Sequence, residues 1–261
     1  MKAVTSKAVL LAAVLLSATW LCAGDKDKTA KLESKVVDSG SFGIYVGGKR
    51  IGTETFKIEQ HPDFSVATAE IKVDDGTVKA VQTAEMQITP KGDLHSYVWR
   101  ATLPAKEEAS VEPNDQLLIE HIIPADLKKV DIPHVLPLST VILDDNFFSQ
   151  REILLWRYLA TGCVPNKDGN RTCGTSSFPA LVPRQHMSIN ATLSVIGPDK
   201  VTLKGSVREM TKVSLQLGEP QQLIMMNSSK EAPGQWFLWV DDQYKVIKIA
   251  VPDSNIEVIR D

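Results

Sequence analysis

The sequence predicts a mainly β protein: a single curved antiparallel meander sheet, a half-barrel, with one amphipathic helix packed on its concave side. Three observations carry this expectation. Runs of alternating apolar and polar residues, the period of a half-buried strand, fill most of the chain after residue 39 and are divided by short turn signals. Only the stretch 144–162 (DDNFFSQREILLWRYLATG) has a helical period: Phe148, Leu155 and Leu159 form one row, and Phe147, Leu154 and Tyr158 a second beside it, a wide apolar face that has to be buried. Nowhere do strands and helices alternate in the way that builds a parallel sheet.

Lys2 and Lys7 precede the apolar run Ala8–Leu21, and the chain turns polar at Gly24-Asp25-Lys26, the pattern of a secretory signal peptide over residues 1–23. Cleavage fits after Ala23, whereas a lipid anchor at Cys22 would need a small residue where Leu21 stands. A bilayer span takes ~20 apolar residues, so this run is too short and no later one is longer. The expected mature chain is therefore periplasmic or secreted, with no transmembrane segment. Residues 24–38 are charged and read as a flexible leader, and a single domain follows over 39–261.

Phe42, Ile44 and Val46 alternate, Gly47-Gly48 makes a tight turn, and Phe56 and Ile58 lie on the returning strand of a hairpin. A second hairpin turns at Asp74-Asp75-Gly76, with Ala67, Ala69, Ile71 and Val73 before it and Ala80, Ala84, Met86 and Ile88 after it. The turn Pro90-Lys91-Gly92-Asp93 introduces a strand at 94–103, then an acidic loop, then a strand at 116–123. Prolines at 124, 133 and 137 predict an extended surface connection. The helix, expected near 145–161, would start at an Asp144 or Asp145 cap or at a Ser149–Glu152 capping box, and end through the permissive φ of Gly162. Strands follow at 178–182 and 187–195, a turn at Gly197-Pro198-Asp199, and strands at 201–207, 213–217 and 223–226. A last hairpin joins 236–240 to 244–251 through Asp241-Asp242-Gln243, and a strand at 256–258 ends the chain.

Of three cysteines, Cys22 falls at the end of the signal segment, which leaves Cys163 and Cys173 as a pair in an oxidising compartment. They are expected to form a disulfide around the turn-rich loop VPNKDGNRT, since a redox motif has two intervening residues and two thiolates make half a zinc site. The formal charge is −3, and loss of Lys2 and Lys7 leaves 27 basic residues against 32 acidic ones, without a block of either sign. Nothing in that pattern suits nucleic acid or an anionic membrane. Histidines at 61, 95, 121, 134 and 186 lack the spacing of helical metal ligands, and no nucleophile elbow, P-loop or dinucleotide fingerprint is present. No catalytic residue, metal or cofactor is assigned. The acidic pairs at 74–75, 144–145 and 241–242 sit where turns and caps use aspartate.

What remains is apolar. Small inward residues such as Ala67, Ala69, Ala80 and Ala84 leave volume for large helix side chains or for a ligand. Phe148, Leu155, Trp156, Leu159 and Trp236 are the candidate lining of such a site. The opening hairpin FGIYVGGKRIGTETFKI, the segment LSTVILDDNFFSQREILLWRYL, FPALVP and the closing WFLWVDDQYKVIKIAVPDSNIEVIRD resemble uncharacterised bacterial envelope proteins of unknown function. These are similar in architecture to the lipoprotein-carrier half-barrels of the LolA/LolB type. That resemblance implies a curved sheet wrapped over a helical element with an apolar concave side. The expected function is a non-catalytic periplasmic binding or carrier module for a lipid or other apolar ligand. The alternative is an envelope structural or interaction protein with a filled core, whose partner would be another envelope protein.

Overall fold

The computed structural model describes residues 34–124, 128–144, 146–165, 171–218 and 234–261. The signal segment and most of the expected leader lie outside them, as does the strand expected at 223–226. A first meander comprises β1 (Lys35–Val46), β2 (Lys49–Gln60), β3 (Ser65–Asp74), β4 (Lys79–Ile88), β5 (Leu94–Leu103), β6 (Glu107–Asn114), β7 (Leu117–Ile123) and β8 (Val130–His134). A two-residue strand β9 (Val141–Ile142), the helix α1 (Ser149–Thr161) and a small hairpin of β10 (Cys163–Pro165) and β11 (Arg171–Cys173) come next. A second meander follows, of β12 (Ser176–Val182), β13 (Met187–Leu203), β14 (Ser206–Leu217), β15 (Gln235–Val240), β16 (Val246–Val251) and β17 (Ile256–Arg260). Antiparallel pairing of β17 with β1, from Phe42 opposite Arg260 to Val46 opposite Ile256, fuses the two meanders into one sheet of fifteen strands.

Connectivity alone requires that sheet to curl. Its edges are β8 and β9, separated by fourteen strand gaps, or ~65 Å along the sheet at ~4.8 Å per gap. Yet only residues 135–140 join them, a reach of at most ~25 Å. The expected mainly β, open curved sheet with one helix is the structure found, and the rows Phe147/Leu154/Tyr158 and Phe148/Leu155/Leu159 are all buried in its core.

Several local expectations are corrected. Strand β1 begins at Lys35, within the expected leader, because Lys35 and Val36 pair with Gln60 and Glu59 and the Asp38 carboxylate is buried. The acidic loop is strand β6, with Ala109 and Val111 on the inner face. The proline-rich connection contains β8, which pairs with β7 and buries His134. β9 runs parallel to β12, the one parallel pairing among the described strands. Gly197-Pro198-Asp199 is no turn: β13 continues through it, and the chain reverses at Lys204-Gly205, both at positive φ. Gly197, at φ +129°, lies where a bulge shifts the register with β14 between Val195 and Gly197. One extra residue exchanges the faces of a strand, so Val201 and Leu203 point to the outer side, where they pack with Met210 and Trp239 in a second small core. Pro198 is tolerated because β12 ends its pairing at Leu193 and, among the described residues, no strand pairs with that side of β13 beyond it. Pro133 on β8 and Pro179 on β12 likewise sit near sheet edges, where they blunt pairing with another chain.

Turns at Asp74-Asp75 and Asp241 form as expected: Asp74 accepts from Gly76 N, Asp75 from Thr77 N and Val78 N, and Asp241 from Gln243 N and Lys245 N. Cys163 and Cys173 are disulfide-bonded and directly paired across β10 and β11. Next to the staple, Arg171 Nη1 donates to Leu159 O and Tyr158 Oη to Gly174 O at the helix end. Gly162 follows the helix in a right-handed conformation, contrary to expectation; glycine is needed because a Cβ there would lie 2.4 Å from Ser176 Oγ. Replacing both cysteines by serine should lower unfolding free energy by ~2–3 kcal/mol with the far-UV spectrum retained, since the bridge closes a short local loop. Leu155→Ala, at a residue with no exposed surface, should cost ~2–5 kcal/mol in urea unfolding; a change under ~1 kcal/mol would show that the helix does not fill the sheet.

Candidate functional site

The helix is more deeply enclosed than its amphipathic pattern suggests, because Ser149, Gln150, Arg151 and Glu152 are buried along with the apolar rows. A buried first turn needs partners for its free N–H groups and its polar side chains. Neither Asp144 nor a Ser149–Glu152 box supplies them. The carboxylate of Glu54 on β2 is the cap: it accepts from Phe148 N (2.6 Å), Ser149 N (3.1 Å) and Ser149 Oγ (2.6 Å). Asp144 is instead buried in a different network, accepting from Tyr97 Oη at 2.6 Å and from Arg184 Nε. That use of Asp144 helps explain a helix start at Ser149 and not near 145. Glu152 Oε2 accepts from Val246 N (2.8 Å) and Arg260 Nη1 (3.1 Å), which ties the helix to β16 and β17.

Two of these acids titrate abnormally. Burial raises the Glu54 pKa from 4.5 to about 7, against the opposing pull of its hydrogen bonds from Ser149 and Phe148. Burial, then the hydrogen bond to Asp38, raises that of Glu152 to about 9. The protonated Glu152 carboxyl is the donor in its hydrogen bond with Asp38. Asp38 moves the other way: burial would raise it, but hydrogen bonds from Glu152, Lys245 and Arg260 hold it well below the usual carboxylate range. Asp38 and Glu152 thus share one proton inside a cage of two cations.

Beside the helix lies a cavity of about 360 Å³, walled by Met86 and Ile88 of β4, Leu94 of β5, Ile142 of β9 and Ile153, Leu154 and Trp156 of α1. Its charged lining is Arg157, half-buried, and Lys91, exposed in the turn before β5. A second cavity, of about 480 Å³, lies on another side of the helix against β13 and β14 and is lined by Leu155 and Leu159. The five candidate residues are therefore not one lining. Trp156 belongs to the first cavity and donates its Nε1–H to Tyr244 O (2.8 Å); Leu155 and Leu159 belong to the second. Phe148 and Trp236 pack together with ring centroids 6.4 Å apart, and the Arg151 guanidinium lies 4.8 Å from the Trp236 ring centre. Ala67, Ala69, Ala80 and Ala84 line neither cavity. Ile153 and Arg157 went unassigned in the sequence although both lie in the helical segment, one turn apart on a side that its apolar rows do not mark.

A polar cluster bridges the seam between the two arms of the sheet. Glu120 of β7, with no exposed surface, accepts from His134 Nε2 (3.0 Å) on β8 and His186 Nδ1 (3.1 Å) after β12. Among the described residues no group of three or more histidine, cysteine or acidic side chains is placed to hold a metal ion, and no helix is long and apolar enough to cross a membrane.

The chain has a structural likeness among known proteins. The chain is similar in fold to a solved β-barrel-like protein of a domain of unknown function, DUF1849, from Brucella abortus. The match has a TM-score of 0.50 at 7% identity and covers 85% of this chain and 94% of that one. No family model matches the sequence, and no curated protein matches it either. At that identity the likeness speaks for the β-barrel-like fold alone.

The raised pKa values carry a stability consequence. Folded Glu54 and Glu152 hold protons that the unfolded chain has released, so their contribution is full below pH 4.5 and is lost as pH rises through about 7 for Glu54 and about 9 for Glu152. Asp38 acts oppositely, and its contribution is lost only in strong acid. Unfolding free energy measured with urea should fall by a few kcal/mol between pH 5 and pH 9. Glu54→Gln should remove about half of the slope between pH 5 and pH 7 and leave the share of Glu152, and a wild-type curve that rises over this range would contradict the burial of both acids.

Proposed function

We propose that this chain is an exported, non-catalytic binding or carrier module, which holds an apolar ligand between its internal helix and the β4–β5 wall. The observation that carries this reading is the cavity beside α1, apolar on both walls and of a size at the lower end of ligand pockets, ~300–1,000 Å³. Trp156, one of the residues expected from the sequence, lines it. Export to the periplasm rests on the signal-like segment 1–23. An open curved sheet around a helix supports an arrangement of the LolA/LolB type, with one internal helix where those carriers have more.

A second reading, an envelope structural or interaction protein with a filled interior, draws on the complete burial of Leu155 and Tyr158. Mass spectrometry under native conditions, on protein purified from its own source, should find a co-purifying apolar molecule if the first reading holds. Ile153→Trp should fill the cavity without loading the main core, since Ile153 is only half-buried. The expected result is binding of the uncharged probe N-phenyl-1-naphthylamine weakened about tenfold, with a melting midpoint close to wild type. Absence of probe binding in the wild type, with no co-purifying molecule, would favour the filled interior.

A further inference from the structure

We propose that the ligand of the helix-side cavity is a single-chain amphiphile with a carboxylate head, of the fatty-acid class, whose head group is bound by Arg157 with Lys91 beside it. This rests on the reading of the cavity as a binding site and adds the chemistry of what it takes. Arg157 projects from α1 into the cavity lining. Its Nη1 donates to two backbone oxygens, Ser139 O at 2.7 Å and Gly92 O at 3.2 Å, and its guanidinium lies 5.4 Å from the Phe178 ring centre. Those contacts fix the plane of the guanidinium but leave its charge unanswered. Among the described residues no carboxylate is within ion-pair distance of it, and Asp93 acts on it only from further away. Its Nε and Nη2 have no hydrogen-bond partner among those residues.

Three other half-buried cations are treated differently. Arg260 is paired with Asp38 and Glu152, Arg184 with Asp144, and Lys245 with Asp38. A cation withdrawn from water without a counter-charge is unfavourable, and burial holds the Arg157 pKa below its ordinary value. Lys91, exposed in the turn that lines the same cavity, adds a second positive charge. A guanidinium with two free donors matches the two oxygens of a carboxylate. Met86, Ile88, Leu94 and Ile153, the apolar part of the remaining lining, suit a hydrocarbon chain. About 360 Å³ admits one chain of moderate length and not the two of a diacyl lipid.

The test compares three twelve-carbon chains that differ only in the head: dodecanoate, dodecan-1-ol and dodecyltrimethylammonium, titrated at pH 8 into delipidated protein preloaded with N-phenyl-1-naphthylamine. Dodecanoate should displace the probe about tenfold more tightly than dodecan-1-ol, and the cationic chain less tightly than either. Arg157→Gln should bring dodecanoate to the level of dodecan-1-ol and leave dodecan-1-ol unchanged. Equal binding of the acid and the alcohol by the wild type, or preference for the cation, overturns the proposal while leaving an apolar site in place. Failure of all three chains to bind overturns the cavity reading itself and this proposal with it. Should Arg157→Gln fail to fold, the head-group order in the wild type decides alone.

Discussion

The constraint on which the rest of the structure depends is that the helix lies inside the sheet with its polar first turn buried. A helix terminus in such a place leaves backbone N–H groups that water cannot reach, and a partner has to come from the wall around it. The wall supplies Glu54 from β2, ninety-four residues earlier in the chain. One turn on, Glu152 reaches a backbone N–H of β16 and the Arg260 side chain of β17, while Arg260 holds Asp38 of β1. The first and last strands are thus joined twice, by their own ladder and through the helix. This joint fixes how the two meanders sit around α1.

Curvature follows from the path of the chain. The edge strands β8 and β9 are consecutive in sequence and lie at opposite ends of the sheet, so a flat sheet would tear the connection between them. What the backbone ladder does not close, side chains do: Glu120 with His134 and His186, and Asp144 with Tyr97 and Arg184, bridge the two arms. Proline residues near the edges protect them from other chains. An open barrel with a plugged interior is the result. It leaves space where the plug and the wall do not interlock, and one such space is largely apolar, with an arginine in its lining that no carboxylate among the described residues pairs with.

Acids buried at the helix link this architecture to pH. Glu54 and Glu152 are retained as carboxyls in an interior that favours their neutral forms, since each has to accept N–H donors that an apolar residue would leave orphaned. The same burial that lets them satisfy the helix raises their pKa values. Packing and proton affinity are here two readings of one contact.

The sequence by itself determined the class of fold, the hairpins, the helix and the disulfide, because each is written in a local pattern: period two, period 3.6, turn residues, and a single remaining cysteine pair. Only the tertiary structure decided what depends on distant partners. β6 and β8 carry too few apolar residues to announce themselves, and are strands because a neighbouring ladder recruits them. The Gly197 bulge reads locally as a turn, and becomes a register shift only because β14 continues to pair beyond it. Asp38, Glu54 and Glu152 look like ordinary surface acids until strands up to 222 residues away enclose them. Arg157 has the least visible signal of all, because its significance is that no carboxylate among the described residues pairs with it, and that depends on where distant chain segments come to lie.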